Sequence, residues 1–66
     1  MVTLSKREED VLRLSGQGFS IREIAASLGI GERSAKHHSD VLRIKFECER
    51  RRQLIPVAQS YFEDER

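Results

Sequence analysis

A single cysteine, Cys48, leaves this 66-residue chain no intramolecular disulfide and no set of thiolates for a structural zinc. A secreted, disulfide-held scaffold is thereby excluded, and a reducing, cytoplasmic setting is the expectation. Long apolar runs are missing as well. No stretch nears the roughly 20 apolar residues that cross a bilayer, and Met1 to Lys6 hold no signal-peptide core, so no membrane partner is expected. Catalytic patterns are equally scarce. There is no glycine-rich phosphate loop and no pair of carboxylates in a cleft-like setting, which leaves Cys48, Ser34 or a histidine as isolated nucleophiles. The chain reads as no enzyme and is expected to need no cofactor. His37 and His38 are adjacent, but neighbouring helical residues point about 100° apart and no third ligand stands at useful spacing, so no metal is expected.

What remains is the pattern of a small helical domain. A chain this short has room for one core, whose net stability is only about 3–5 kcal/mol, so residues 1–66 are expected to form a single domain with its core in 4–62. Net charge is only +1, but it is unevenly spread. Residues 1–30 balance Lys6, Arg7, Arg13 and Arg22 against Glu8, Glu9, Asp10 and Glu23. Residues 31–52 hold Arg33, Lys36, Arg43, Lys45, Arg50, Arg51 and Arg52 against Glu32, Asp40, Glu47 and Glu49. A local basic surplus is the footprint of a phosphate-binding face, or simply of a solvated helix; charge alone leaves both open. The tail turns acidic at Glu63, Asp64 and Glu65, and beyond Asp64 it is expected to fray.

Ser5 and Glu8 stand at capping-box spacing, which predicts a helix over about 6–16 with Val11, Leu12 and Leu14 on its apolar side and the Gly16-Gln17-Gly18 run at its end. The same spacing recurs at Ser20 and Glu23. It opens a second helix whose Ile21, Ile24, Ala25 and Leu28 recur at helical intervals and which stops at Gly29. Gly31 then caps a third helix, about 32–46, with Ala35, His38, Leu42 and Phe46 on its buried face and Arg33, Lys36, His37 and Asp40 opposite. Whether this helix continues beyond Phe46 is open, because no strong breaker follows. Leu54, Ala58, Tyr61 and Phe62 predict a fourth helix within 50–63, starting or bending near Pro56. The fold class is therefore all-α, a compact four-helix domain in which helices 2 and 3 form a helix-turn-helix.

These residues are also familiar as a set. Leu4-Ser5-Lys6-Arg7-Glu8-Glu9-Asp10-Val11-Leu12 resembles the opening of LuxR/FixJ/GerE-type DNA-binding domains, usually close to L-T-P-R-E-x-E-V-L. Gly18-Phe19-Ser20-Ile21-Arg22-Glu23-Ile24-Ala25, Leu28-Gly29-Ile30-Gly31 and Ser34-Ala35-Lys36-His37-His38 resemble that family's later segments, in order and without a gap. The resemblance covers residues 4 to about 46 and extends, more weakly, to Ala58. It implies a sequence-specific transcription regulator that binds double-stranded DNA with its third helix in the major groove and pairs as a homodimer through its fourth. One departure bears on the geometry: Lys45-Phe46-Glu47-Cys48 stands where the family has K-L-G-V, so the glycine between helices 3 and 4 is absent.

On the residues that match the family's motif, Lys36, His37 and Asp40 are the base-reading candidates. Asp40 has a second reading as an intrahelical partner of Lys36 or Arg43. Ser20, Arg22, Arg33, Ser34 and Arg43 are the phosphate candidates, because helix N-termini and basic side chains meet the anionic strand. Val57 and Tyr61 are the candidates for the dimer interface, Tyr61 having packing onto helix 1 as its alternative. Arg50 to Arg52 suit phosphate contact and solvated surface equally. With Met1 three residues ahead of the motif, the chain is expected to be either a regulator lacking a receiver or ligand-binding domain of its own or an excised fragment of a larger protein. The competing class is a protein-interaction module, or a domain like region 4 of sigma factors, that binds RNA polymerase.

Overall fold

The computed structural model describes residues 2–63 and contains α1 (Lys6–Gly16), α2 (Ile21–Leu28), α3 (Glu32–Lys45), a 3-10 turn at Arg51–Gln53 and α4 (Leu54–Tyr61). The expectation of a fraying tail beyond Asp64 lies outside the described residues. Both capping boxes form. Ser5 Oγ accepts from Glu8 N–H at 3.2 Å while Glu8 accepts from Ser5 N–H at 2.8 Å, and Ser20 and Glu23 repeat the exchange at 3.1 and 2.8 Å. Local sequence thus starts both helices, and at α1 a long-range donor is added to the same carboxylate, since Lys45 also reaches Glu8 Oε1.

Three helix ends share one geometry. After α1, Phe19 N–H reaches Leu14 O and Gly18 N–H reaches Ser15 O, with Gly18 at φ 87°. After α2, Ile30 N–H reaches Ala25 O and Gly29 N–H reaches Ala26 O, with Gly29 at φ 67°. After α3, Cys48 N–H reaches Arg43 O at 2.7 Å and Glu47 N–H reaches Ile44 O at 3.2 Å, with Glu47 at φ 55°. This is the Schellman arrangement, in which a left-handed residue lets the chain satisfy the last carbonyls and turn away. The structure therefore ends α3 at Lys45 rather than continuing it, and a glutamate occupies the glycine position. Neighbouring bonds hold that turn. Arg43 donates to Glu49 O at 2.9 Å, and Gln53 Oε1 accepts from the N–H groups of Glu49 and Arg50 at 2.7 and 2.9 Å.

The core is made by Val11, Leu12, Ile24, Ala25, Ala35, Leu42, Leu54 and Ala58, drawn from all four helices. α1 packs on both α3 and α4, while α2 packs chiefly on α3. Gly16 belongs to α1 and has a packing role: a Cβ there would meet Ala58 Cβ at 2.5 Å, so the missing side chain sets how closely α1 and α4 approach. Pro56 lies in the first turn of α4, where its missing N–H removes no helical bond. The buried face of α3 is Ala35, Ser39 and Leu42, with His38 and Phe46 half-buried at its margins. Ser39 and Ser15 place hydroxyls in the interior that have no partner among the described residues.

Long-range hydrogen bonds add to this packing. Lys45 Nζ donates to Glu8 Oε1 at 2.9 Å and to Thr3 O at 3.1 Å, closing the end of α3 onto the start of α1. Hydrogen bonds from the Ser5 N–H and then from Lys45 hold the Glu8 carboxyl below its ordinary pKa. Arg51 donates to Phe19 O at 3.0 Å and fastens the 3-10 turn to the connection between α1 and α2.

Candidate nucleic-acid interface

The face of α3 turned away from the core carries Arg33, Lys36 and His37, all exposed, and the partly exposed Asp40. Its placement follows from burial. With Ala35, Ser39 and Leu42 fixed inward, the period of about 3.6 residues turns 33, 37 and 40 outward. α2 braces the helix from one side through the Gly29-Ile30-Gly31 turn, and half-buried Ile30 packs on the core. The result is a helix-turn-helix whose second helix presents a polar strip to solvent.

Charge on this strip is partly committed. Asp40 accepts from Arg43 Nη2 at 3.0 Å and pairs with Lys36 Nζ at 3.7 Å. The hydrogen bond from Arg43, followed by the Lys36 and Arg43 charges, holds the Asp40 carboxyl below its ordinary pKa. The intrahelical reading of Asp40 is thus realised in the free protein. Lys36 remains exposed, and its exposed-surface pair with Asp40 is of the kind that adds only about 0.3–0.5 kcal/mol, so it can be exchanged for another acceptor. His37 meets His38 edge to face, ring centroids 5.9 Å apart. Among the described residues, no group of three or more His, Cys, Asp or Glu is placed to hold a metal ion.

The phosphate candidates fall into two groups. Ser20, Arg22, Arg33 and Ser34 are exposed at the first turns of α2 and α3. At α2 the capping box already occupies the Ser20 N–H and the Glu23 N–H, and the bond from Ser20 N–H holds Glu23 below its ordinary pKa. At α3 the cap is Gly31, whose lack of a side chain leaves the first-turn N–H groups without a capping oxygen. Arg43 stands apart. It is bonded to Asp40 on one side and to Glu49 O on the other, so it also staples the connection that follows α3.

Val57 and Tyr61 lie on α4, both half-buried and packed against the core. Tyr61 sits edge-on to Phe46, centroids 6.0 Å apart, and its hydroxyl donates to Glu9 of α1 at 3.4 Å, so its alternative as a packing residue on α1 is present in the protomer. Beside it, Arg13 stacks over the Phe62 ring at 4.1 Å.

Arg51 and Lys45, both part of the basic stretch of residues 31–52, have structural roles that sequence does not foretell, and so has Ile44. Arg51 and Lys45 act through partners 32 and 37 residues away, and no local pattern announces such pairs. Ile44 lies fully outward on α3, a position that an apolar stripe search assigns to nothing.

A helix-turn-helix with an outward donor strip on its second helix defines a class of DNA-binding domain. Comparison places the chain within that class: the family described as bacterial regulatory proteins, luxR family, matches residues 2–58, reaching into α4. The chain belongs to this family of DNA-binding regulators. No curated protein and no solved structure matches it. No helix among the described residues is long and apolar enough to cross a membrane.

Proposed function

We propose that this domain regulates transcription, in the cytoplasm, by reading a specific duplex sequence with α3 in the major groove. The observation that supports this most is the outward strip of Arg33, Lys36 and His37 on a helix braced by α2. A major groove about 12 Å wide admits one helix, and Lys36 donates to guanine O6 or N7 while His37 donates to an acceptor edge. Asp40 accepts from cytosine N4 when Lys36 leaves it for a base, or else keeps Lys36 and Arg43 aligned. Ser20, Arg22, Arg33 and Ser34 hold the flanking phosphates, together with the uncapped N–H groups at the start of α3 and the N–H groups of Arg43 not bonded within the protein. Two copies pair through α4, with Val57 at the contact and Tyr61 at its edge, which sets two α3 helices on half-sites about one DNA turn apart.

The test is binding to duplexes over a range of salt. Each phosphate contact contributes a slope of about 0.9 in log affinity against log salt, so Arg22→Ala should weaken all duplexes alike and flatten the slope by about one contact. Lys36→Ala should instead weaken the preferred duplex selectively, by about 1–3 kcal/mol. Salt-independent binding, or equal losses on all sequences for Lys36→Ala, would remove α3 as the reading helix. Sedimentation that finds only monomers at high concentration, with one protomer per operator, would remove the dimer.

A further inference from the structure

Among the described residues Ile44 is the one large apolar side chain left in solvent, 76% exposed. Its place on α3 makes that exposure informative. Ile44 follows the buried Ala35 by nine residues, which at about 100° per residue puts it half a turn from the core-facing side. It therefore continues the line of Arg33, His37 and Asp40 by one more turn. His37, Asp40, Val41 and Ile44 stand at i, i+3, i+4 and i+7, one continuous face of a helix and the spacing with which a homeodomain helix reads its bases. Half-buried Val41 flanks Ile44 on this face. At about 1.5 Å per residue Ile44 lies about 10 Å beyond His37, or about three base-pair steps along the groove.

The chemistry at that end differs from the chemistry at the start. Lys36 and His37 offer donors, and Asp40 and Arg43 neutralise each other, so the last outward turn of α3 presents hydrocarbon to whatever faces it. In the major groove the base-edge group that matches hydrocarbon is the C5-methyl of thymine. A β-branched side chain in a helix has one strongly preferred χ1 rotamer, so little freedom is lost when it is covered.

We propose that Ile44 is a specificity-determining residue that packs on a thymine C5-methyl, so that the half-site read by α3 extends about three base pairs past the bases met by Lys36 and His37. This rests on α3 being the major-groove helix. The thymine forms one edge of the half-site, and Val41 widens the apolar contact toward the neighbouring sugar.

The experiment uses the whole chain and its preferred duplex, found by selection. Each thymine is replaced singly by deoxyuridine, which removes one methyl group and nothing else, and wild type, Ile44→Ala and Lys36→Ala are titrated on every duplex. Wild type should bind one deoxyuridine duplex about fourfold more weakly, the effect of about one buried methyl. Ile44→Ala should bind that duplex and its thymine parent equally, while Lys36→Ala, though weaker on both, should keep the fourfold difference, and an unchanged melting temperature would confirm that an exposed substitution left the fold alone. Equal binding of all the duplexes by wild type, or an Ile44→Ala loss identical on thymine and uracil, overturns the methyl contact while leaving α3 as the reader. An Ile44→Ala variant that binds every duplex like wild type overturns it too and moves Ile44 to a contact with protein. Loss of any sequence preference in wild type refutes the underlying reading instead.

Discussion

Replacing Glu47 by glycine should make the protein more stable, although the substitution deletes a side chain and adds no contact. Glu47 sits at φ 55° in the third Schellman turn, where Gly18 and Gly29 fill the equivalent places of the first two. A residue with a Cβ pays roughly 1–2 kcal/mol in the left-handed region, because Cβ crowds the following carbonyl oxygen. Glycine removes that strain but loses more backbone freedom on folding, which offsets roughly 0.4–1 kcal/mol. The Glu47 side chain is exposed and its carboxylate has no hydrogen-bond or ion-pair partner among the described residues, so nothing further is lost. The net gain is about 1 kcal/mol, which raises the melting temperature of a domain this size by about 4–8 °C. Thermal melts followed by far-ultraviolet circular dichroism read it directly. Gly29→Ala supplies the reverse experiment: no atom lies within 4 Å of the added Cβ, so its loss of about 1 kcal/mol is purely conformational. If Glu47→Gly melted at or below wild type while Gly29→Ala lost stability as expected, Glu47 would not be the strained residue described. If Glu47→Ala gained as much as Glu47→Gly, the source would be the glutamate side chain and not its backbone.

Other outcomes follow from the same packing. Gly16→Ala should cost about 1–3 kcal/mol, because the new methyl meets Ala58 Cβ and neither can swing aside; an unchanged melting temperature would show that α1 and α4 separate freely. Leu42→Ala should cost about 2–5 kcal/mol and leave the domain largely unfolded by circular dichroism. Ser39→Ala should hold or raise stability, by up to about 1 kcal/mol, since it removes an interior hydroxyl without a protein partner; a clear loss in a denaturant titration would mean that the hydroxyl is satisfied. Glu8 should shape the acid side of the pH-stability curve. Its pKa is lowered in the folded protein, so the unfolded chain takes up the proton first; the stability it confers is complete above the unfolded glutamate value and is lost as pH falls through the folded one. Glu8→Gln should flatten, without abolishing, the decline on that limb, because Glu23 and Asp40 are shifted the same way.

How much of this was legible in the sequence depends on how local each cause is. The first two helices were readable to the residue at their starts, because Ser5 with Glu8 and Ser20 with Glu23 each complete their exchange within one turn. Gly29 was readable as a stop for the same reason. The end of α3 was placed to within a residue, at 46 against Lys45, but whether the helix stopped there was open, since a glutamate in the left-handed region carries no signature and its turn is held by Arg43 and Gln53 from either side. Of the expected buried face, Ala35 and Leu42 are fully inside, but Ser39 is too, and a polar residue type hides that from any apolar pattern. At the interface, which residues point outward was predictable from the helical period alone. Which of their charges are already paired was not, because Asp40 had two acceptable roles at the same spacing and only the rotamers choose between them.

Whether α3 reads bases is decided by selecting bound duplexes from a randomised pool, with wild type and Lys36→Ala run side by side. Wild type should enrich a two-fold related pair of half-sites about one DNA turn apart, and Lys36→Ala should relax the preference at the position Lys36 meets in each half-site, leaving the rest of the consensus in place. Recovery of the same consensus by both proteins, or of no consensus by the folded wild type, would contradict base reading by α3.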